Sequence, residues 1–191
     1  MQRAIFFLIL IAVFWVNFCW VEEASPKSLS GWEAFLGFNY GHLKGQKKLK
    51  AYNLFFDLDF DLKKITPSFK KYPGLAQFQI EPYISIIDSP RSNFGFGNAF
   101  AFKFGLFPET ARFQPYAKIA CGLSYMTLHT REQSTQFNFF EYAGLGFHYF
   151  LKPSLALVGE YRFSHLSNSS IRHPNHGINS YTALVGFSYR F

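Results

Sequence analysis

Apolar side chains recur at every second position along most of this chain, in runs separated by polar or Gly- and Pro-containing stretches. In residues 50–62 the even positions Tyr52, Leu54, Phe56, Leu58, Phe60 and Leu62 are apolar, while Asn53, Asp57, Asp59 and Asp61 are polar. Phe78, Ile80, Ile84 and Ile86 alternate with Gln77, Gln79, Glu81 and Ser85. Between 94 and 104, five Phe residues alternate with Gly95, Gly97, Ala99, Ala101 and Lys103, a small-residue face that suits the crowded interior of a narrow barrel. With the parity switched, the pattern continues over 113–125, 137–149, 155–163 and 181–191, and a first run at 32–40 carries Trp32, Leu36, Phe38 and Tyr40. A period of two puts alternate side chains on opposite faces, so these runs predict eight half-apolar strands. Eight strands of about ten residues each describe an all-β fold, an eight-stranded antiparallel transmembrane β-barrel.

Composition agrees with apolar residues spread over a barrel wall. The chain has 191 residues, of which 21% are aromatic and 49% hydrophobic, yet only 16% are charged. A single domain of this size has difficulty hiding 26 Phe and 11 Tyr from solvent. After residue 20 no apolar run approaches the ~20 residues of a spanning helix, so lipid-facing strands are the remaining place for the rings. The polar face then points into the lumen, where Asp57, Asp59, Glu81, Lys103, Lys118, Glu160 and Arg162 can pair with one another. Eight strands enclose only enough room for side chains, which argues against a pore.

The N-terminus has the layout of a secretory signal, with Arg3 followed by an apolar stretch from Ala4 to Phe18 interrupted only by Asn17. The expected division is a signal peptide over 1–24 and the barrel over 25–191. Cys19 invites lipid attachment, but the bulky Phe18 before it argues against that processing. Removing 1–24 leaves the chain positively charged with a single cysteine, Cys121, and hence without a disulfide framework. Ending on an aromatic strand at Phe191 resembles the C-terminal signal of outer-membrane proteins. The tight connection at 150–153 marks the periplasmic end; 41–49, 87–93, 126–136 and 168–178 are then outer loops, and the lysine-bearing stretch 63–75 is a long periplasmic excursion.

The chemistry concentrates near the C-terminus, in the segment from Glu160 to Asn168 and the loop that carries Asn175 and Asn179. His165 and Ser167 are two apart and share the outward parity of Leu155, Leu157, Tyr161 and Phe163. Asn179 has the outward parity of the last strand. Polar groups on the lipid face are costly unless they lie at the rim or perform work there. An imidazole beside a serine hydroxyl is the minimum for a nucleophile with a general base, and facing lipid it can reach an ester still embedded in the leaflet.

This segment resembles the lipid A 3-O-deacylase family of outer-membrane enzymes, the PagL-type acyloxyacyl hydrolases. Their hallmark is His-x-Ser-Asn on the penultimate strand, an Asn about eight residues after the serine and an acid about twelve after. It falls here on His165, Ser167, Asn168, Asn175 and Asn179. The resemblance implies an outer-membrane serine esterase of a Gram-negative cell, acting on lipid A in lipopolysaccharide without cofactor or metal. It implies Ser167 as nucleophile, His165 as base and Asn179 as third member. Asn175, the Ser170 backbone N–H and Asn168 would position the substrate or its oxyanion. Ser169 and Ser170 stand where the family usually has Ala-Gly-type residues. Asn179 replaces the expected acid: an amide can orient an imidazole but supplies no charge, and Glu160, of inward parity, is a poor substitute.

Other features add less. His173 and His176 form His-x-x-His in a loop that lacks Cys or acidic ligands, which makes a poor metal site. Lys44, Lys47, Lys48 and Lys50 suit either a solvated loop or contact with lipopolysaccharide phosphates. The pI of about 9.4 comes from dispersed basic residues and does not point to nucleic acid. A non-catalytic barrel serving as anchor or adhesin is the rival function, acyl transfer to an acceptor other than water is a further one, and a homodimer is left open.

Overall fold

The computed structural model describes residues 28–44 and 47–191, so the signal peptide expected over 1–24 lies outside the described residues. Eight strands form a closed antiparallel barrel in which each pairs with its sequence neighbour and the last returns to the first. They are β1 (Leu29–His42), β2 (Lys48–Asp61), β3 (Gly74–Ser89), β4 (Asn93–Pro108), β5 (Phe113–Met126), β6 (Phe137–Lys152), β7 (Leu155–Ser167) and β8 (Ile178–Arg190). With 13 to 16 residues each, the strands exceed the ~9–11 that a tilted strand needs to cross a bilayer, and their ends project beyond the apolar band. Extra paired residues shorten the connections. The expected loop over 87–93 is reduced to 90–92, and β6 joins β7 through Pro153 and Ser154 alone.

Alternation sorts the side chains as the pattern requires. Leu36, Tyr52, Ile86, Phe100, Ile119, Leu145, Tyr161 and Val185 stand on the outside. Two residues of the expected outward set do not. Leu62 is buried because the chain leaves the strand period there, whereas Phe60, still within β2 opposite Phe78, is covered on its own face, with the two ring centroids 6.2 Å apart. Asp61 caps a single helical turn, α1 (Leu62–Ile65), by accepting from the Lys63 backbone N–H at 2.8 Å. A 3-10 turn over Pro67–Phe69 follows. Lys63 pairs with Glu109 of the turn between β4 and β5 at 2.6 Å, and Tyr72 donates to the Gly105 carbonyl at 2.6 Å, which ties the excursion to the barrel rim.

The lumen is filled by charge. Lys118 Nζ lies 2.7 Å from Asp57 and 2.6 Å from Glu81, and Arg162 forks onto Glu81 with contacts of 2.6 and 2.8 Å. Arg162 also donates to Glu160, which accepts the Tyr116 hydroxyl at 2.6 Å. A second group joins Glu33 to Lys103 and, at 2.7 Å, to His148, with Gln79 donating to Asp59 at 2.6 Å. Gly146 makes room for this packing: a Cβ there would lie 2.4 Å from the Tyr116 ring. Toward the outer end the filling turns apolar, as Leu43, Ala51, Ile87, Met126, Leu128 and Ile178 form a plug with Leu166 packed against it.

Breaking one buried partner strands another charge in a dry interior. Glu81→Gln, which leaves Lys118 and Arg162 short of a counter-charge, is therefore expected to lower barrel stability by about 3–5 kcal/mol. Lys64→Ala, at an exposed site, should change it by less than about 0.5 kcal/mol. Urea unfolding of protein refolded into lipid vesicles measures both.

Candidate active site

The site is built where β7 and β8 pair at the outer end of the barrel. Register places His165 directly opposite Asn179 and Leu166 directly opposite Ile178. The second pair turns inward to the apolar plug, so the first must turn outward. His165 Nδ1 meets Asn179 Oδ1 at 2.6 Å. An amide oxygen only accepts, so in a neutral imidazole this bond puts the proton on Nδ1 and leaves the Nε2 lone pair to act as a base.

The loop back from β7 to β8 closes over this ring. Gly177 has φ +71°, and a Cβ at that position would lie 2.3 Å from His165 Cε1 and 2.9 Å from Nε2. Only a residue without a side chain allows both the left-handed backbone and the close approach.

Ser167, the last residue of β7, lies about 6.6 Å along the strand from His165 and on the same side. The two line one groove on the outer wall, with a volume of about 380 Å³, together with Phe100, Leu123 and Phe139. Among the described residues no hydrogen bond joins the Ser167 hydroxyl to the imidazole; what they share is the groove. Phe139 is the cross-strand partner of Ser167, and Leu123 is that of Phe139, so an apolar track leads away from the hydroxyl across β6 and β5.

Beyond Ser167, Asn168 to Ile171 form a tight turn closed by the Ile171 N–H on the Asn168 carbonyl at 3.0 Å. Ser169 and Ser170, with φ of 50° and 60°, occupy its two central positions, as a type I′ turn requires. Asn168 is fully buried, and its amide nitrogen donates to the Arg172 carbonyl at 2.8 Å. It therefore holds the loop from within. Its backbone N–H donates to Asn175 Oδ1 at 2.9 Å, which turns the Asn175 amide nitrogen toward the Ser170 hydroxyl, 3.5 Å away. The 127–136 loop supports this arrangement from outside. Ser134 N–H donates to the Pro174 carbonyl at 3.1 Å, His176 N–H donates to the Glu132 carbonyl at 2.9 Å, and Gln133 bridges to Asn175.

The structure thus gathers His165, Ser167, Asn175, Ser170 and Asn179 around the outer end of β7 and β8, with Asn168 beneath them. Glu160 faces the lumen and is bound to Arg162 and Tyr116. Two residues of the site escape the motif. Gly177 carries no sequence signal beyond being glycine, since its role depends on the path of the loop. Glu141 also lines the groove, on the outward parity of Phe137, Phe139 and Leu145, where a carboxylate breaks an otherwise apolar face. Among the described residues no group of three or more His, Cys, Asp or Glu side chains is placed to hold a metal ion.

Comparison with known proteins agrees with the fold. A model of the lipid A 3-O-deacylase (PagL) family matches residues 12–188. The crystal structure of the outer membrane enzyme PagL is similar with a TM-score of 0.62 at 16% identity, covering 80% of this chain and 97% of that one. Neisserial surface protein A is similar with a TM-score of 0.64 at 11% identity, covering 85% and 97%. At such identities the structural likeness establishes the barrel, while the family model spans barrel and site together. No curated protein matches the chain. The chain belongs to the lipid A 3-O-deacylase (PagL) family, ester hydrolases of the outer membrane.

Proposed function

We propose that this outer-membrane lipid A 3-O-deacylase cleaves its ester through Ser167, with His165 as general base and Asn179 as the third member that orients the imidazole. The observation that carries the proposal is the 2.6 Å contact from His165 Nδ1 to Asn179 Oδ1, which in the neutral ring reserves Nε2 as the base, beside a groove that His165 shares with Ser167. As Ser167 Oγ attacks the ester carbonyl, Nε2 takes the hydroxyl proton. The Asn175 amide nitrogen and the Ser170 backbone N–H receive the oxygen on which charge develops. Collapse expels the sugar 3-oxygen, which the imidazolium protonates. Water, drawn from the rim and deprotonated by the same nitrogen, then attacks the acyl-enzyme and releases the fatty acid.

The location supports this chemistry. A groove walled by Phe100, Leu123 and Phe139 can take the acyl chain directly from the leaflet, with the polar groups Ser167 and His165 on the same groove to meet the ester. Residues 1–24 serve as the signal peptide that brings the chain to this membrane. Every group used in the reaction comes from one chain, so the chemistry does not call for a homodimer.

Incubating the refolded protein with lipopolysaccharide in detergent and following released 3-hydroxy fatty acid by mass spectrometry tests the assignment. Ser167→Ala is expected to abolish release while the barrel remains folded; undiminished release rejects Ser167 as nucleophile. Asn175→Ala should lower kcat by about 10²–10³-fold, the usual effect of losing one oxyanion donor. Gly177→Ala pushes a methyl group into the imidazole and should lower kcat by about 10²-fold, as displacements of about an ångström do.

A further inference from the structure

Asn179 leaves the site short of charge. When His165 takes the serine proton it becomes an imidazolium, and the partner on its Nδ1 is a neutral amide. Where a carboxylate performs this role in a serine protease, replacing it with an amide cost about 10⁴ in rate. β8 offers no acid, since it carries neither Asp nor Glu, and the one acid of β7, Glu160, is committed to the lumen.

The other neighbour of β7 carries a carboxylate at the required height. In the β6–β7 register Glu141 stands directly opposite His165, just as Asn179 does in the β7–β8 register. Asn179, His165 and Glu141 therefore form one row across three strands on the outer face, continued by Cys121 and then Phe100. Directly opposed side chains have Cβ atoms about 4.5–5.5 Å apart, within reach of strong charge interaction in a poorly solvated wall. Glu141 and His165 line the same groove.

A structural role does not account for this carboxylate. Glu141 is exposed on the face where β6 otherwise presents Phe137, Phe139, Ala143, Leu145 and Phe147, and acids on a lipid-facing surface are costly. Among the described residues it has no hydrogen bond or ion pair, and the nearby cations Lys118 and Arg162 face the lumen, bound to Asp57, Glu81 and Glu160. Its directly opposed partners are Cys121 on β5 and His165 on β7, and of the two only the imidazole can become a cation.

We propose, on the basis of the Ser167–His165 chemistry above, that Glu141 is a positioning residue that supplies the negative charge missing from Asn179. The two duties of the usual acid are divided between strands: the amide on β8 orients the imidazole and selects its tautomer, and the carboxylate on β6 stabilises the imidazolium as it forms. The stabilisation arises only in the transition state, so it acts on kcat rather than on substrate binding.

The experiment is a cycle of variants of the full protein, refolded and assayed for 3-hydroxy fatty acid release from lipopolysaccharide, with Ser167→Ala as the chemical control. Glu141→Gln is expected to lower kcat by about 10–100-fold with KM unchanged, while Glu141→Asp retains most of the rate. Asn179→Glu should raise kcat little in the wild-type background and restore it in Glu141→Gln, because one carboxylate beside the ring suffices. A rise in KM at constant kcat would make Glu141 a substrate contact and overturn the proposal. So would an unchanged kcat in Glu141→Gln, or failure of Asn179→Glu to restore the rate. Activity surviving in Ser167→Ala removes the underlying chemistry itself and is distinguishable, because it does not depend on residue 141.

Discussion

The register between β7 and β8 is the constraint on which the site depends. It sets His165 against Asn179 on the lipid side and Leu166 against Ile178 on the lumen side, and a slip of β7 by one residue would break both pairs and turn His165 inward. Forces on either side prevent the slip. Arg162, three residues before His165 on the same strand, is held across the lumen by Glu81, so a slip would carry a guanidinium into lipid. Leu166 and Ile178 are held by the apolar plug at the outer mouth. Closure adds to both, since every strand has two partners and none has a free edge. The charges in the barrel interior thus aim an imidazole that points the opposite way.

Working on a lipid-facing wall changes what a hydrolase must provide. Soluble enzymes sink their nucleophile into a cleft to remove water; for the proposed Ser167 nucleophile the bilayer limits it, and the protein must instead keep a few polar groups satisfied at the rim. It does so locally. Asn179 satisfies the imidazole, Asn168 ties down the turn that follows the serine, and the 127–136 loop pairs with the loop that carries Asn175. Glu132 extends this lacing to a third loop, its carboxylate accepting from the Lys44 backbone N–H. The donors expected to face the oxyanion are therefore placed by a bonded assembly of three loops.

Much of the barrel was legible in the chain, for a definite reason. Which way a strand side chain points depends only on whether its position is odd or even, so the outward aim of His165, Ser167 and Asn179 and the inward aim of Glu160 and Arg162 follow from local spacing. Eight aromatic runs likewise announce eight strands. The pattern failed where the backbone left the extended state: Leu62 continues the alternation on paper, yet Asp61 caps a helical turn and Leu62 is buried.

What local spacing cannot contain is lateral adjacency. Glu141 lies 24 positions before His165, and nothing in either segment states that hairpin register will set them side by side. The fit of Gly177 against the ring depends on how a loop folds back, and the burial of Asn168 depends on a neighbouring loop closing over it. By itself the sequence determined the strands, their faces and the polar trio on the lipid side, because period two is a property of consecutive residues. The tertiary structure decided which groups stand beside that trio, because distance between strands is settled only when the barrel closes.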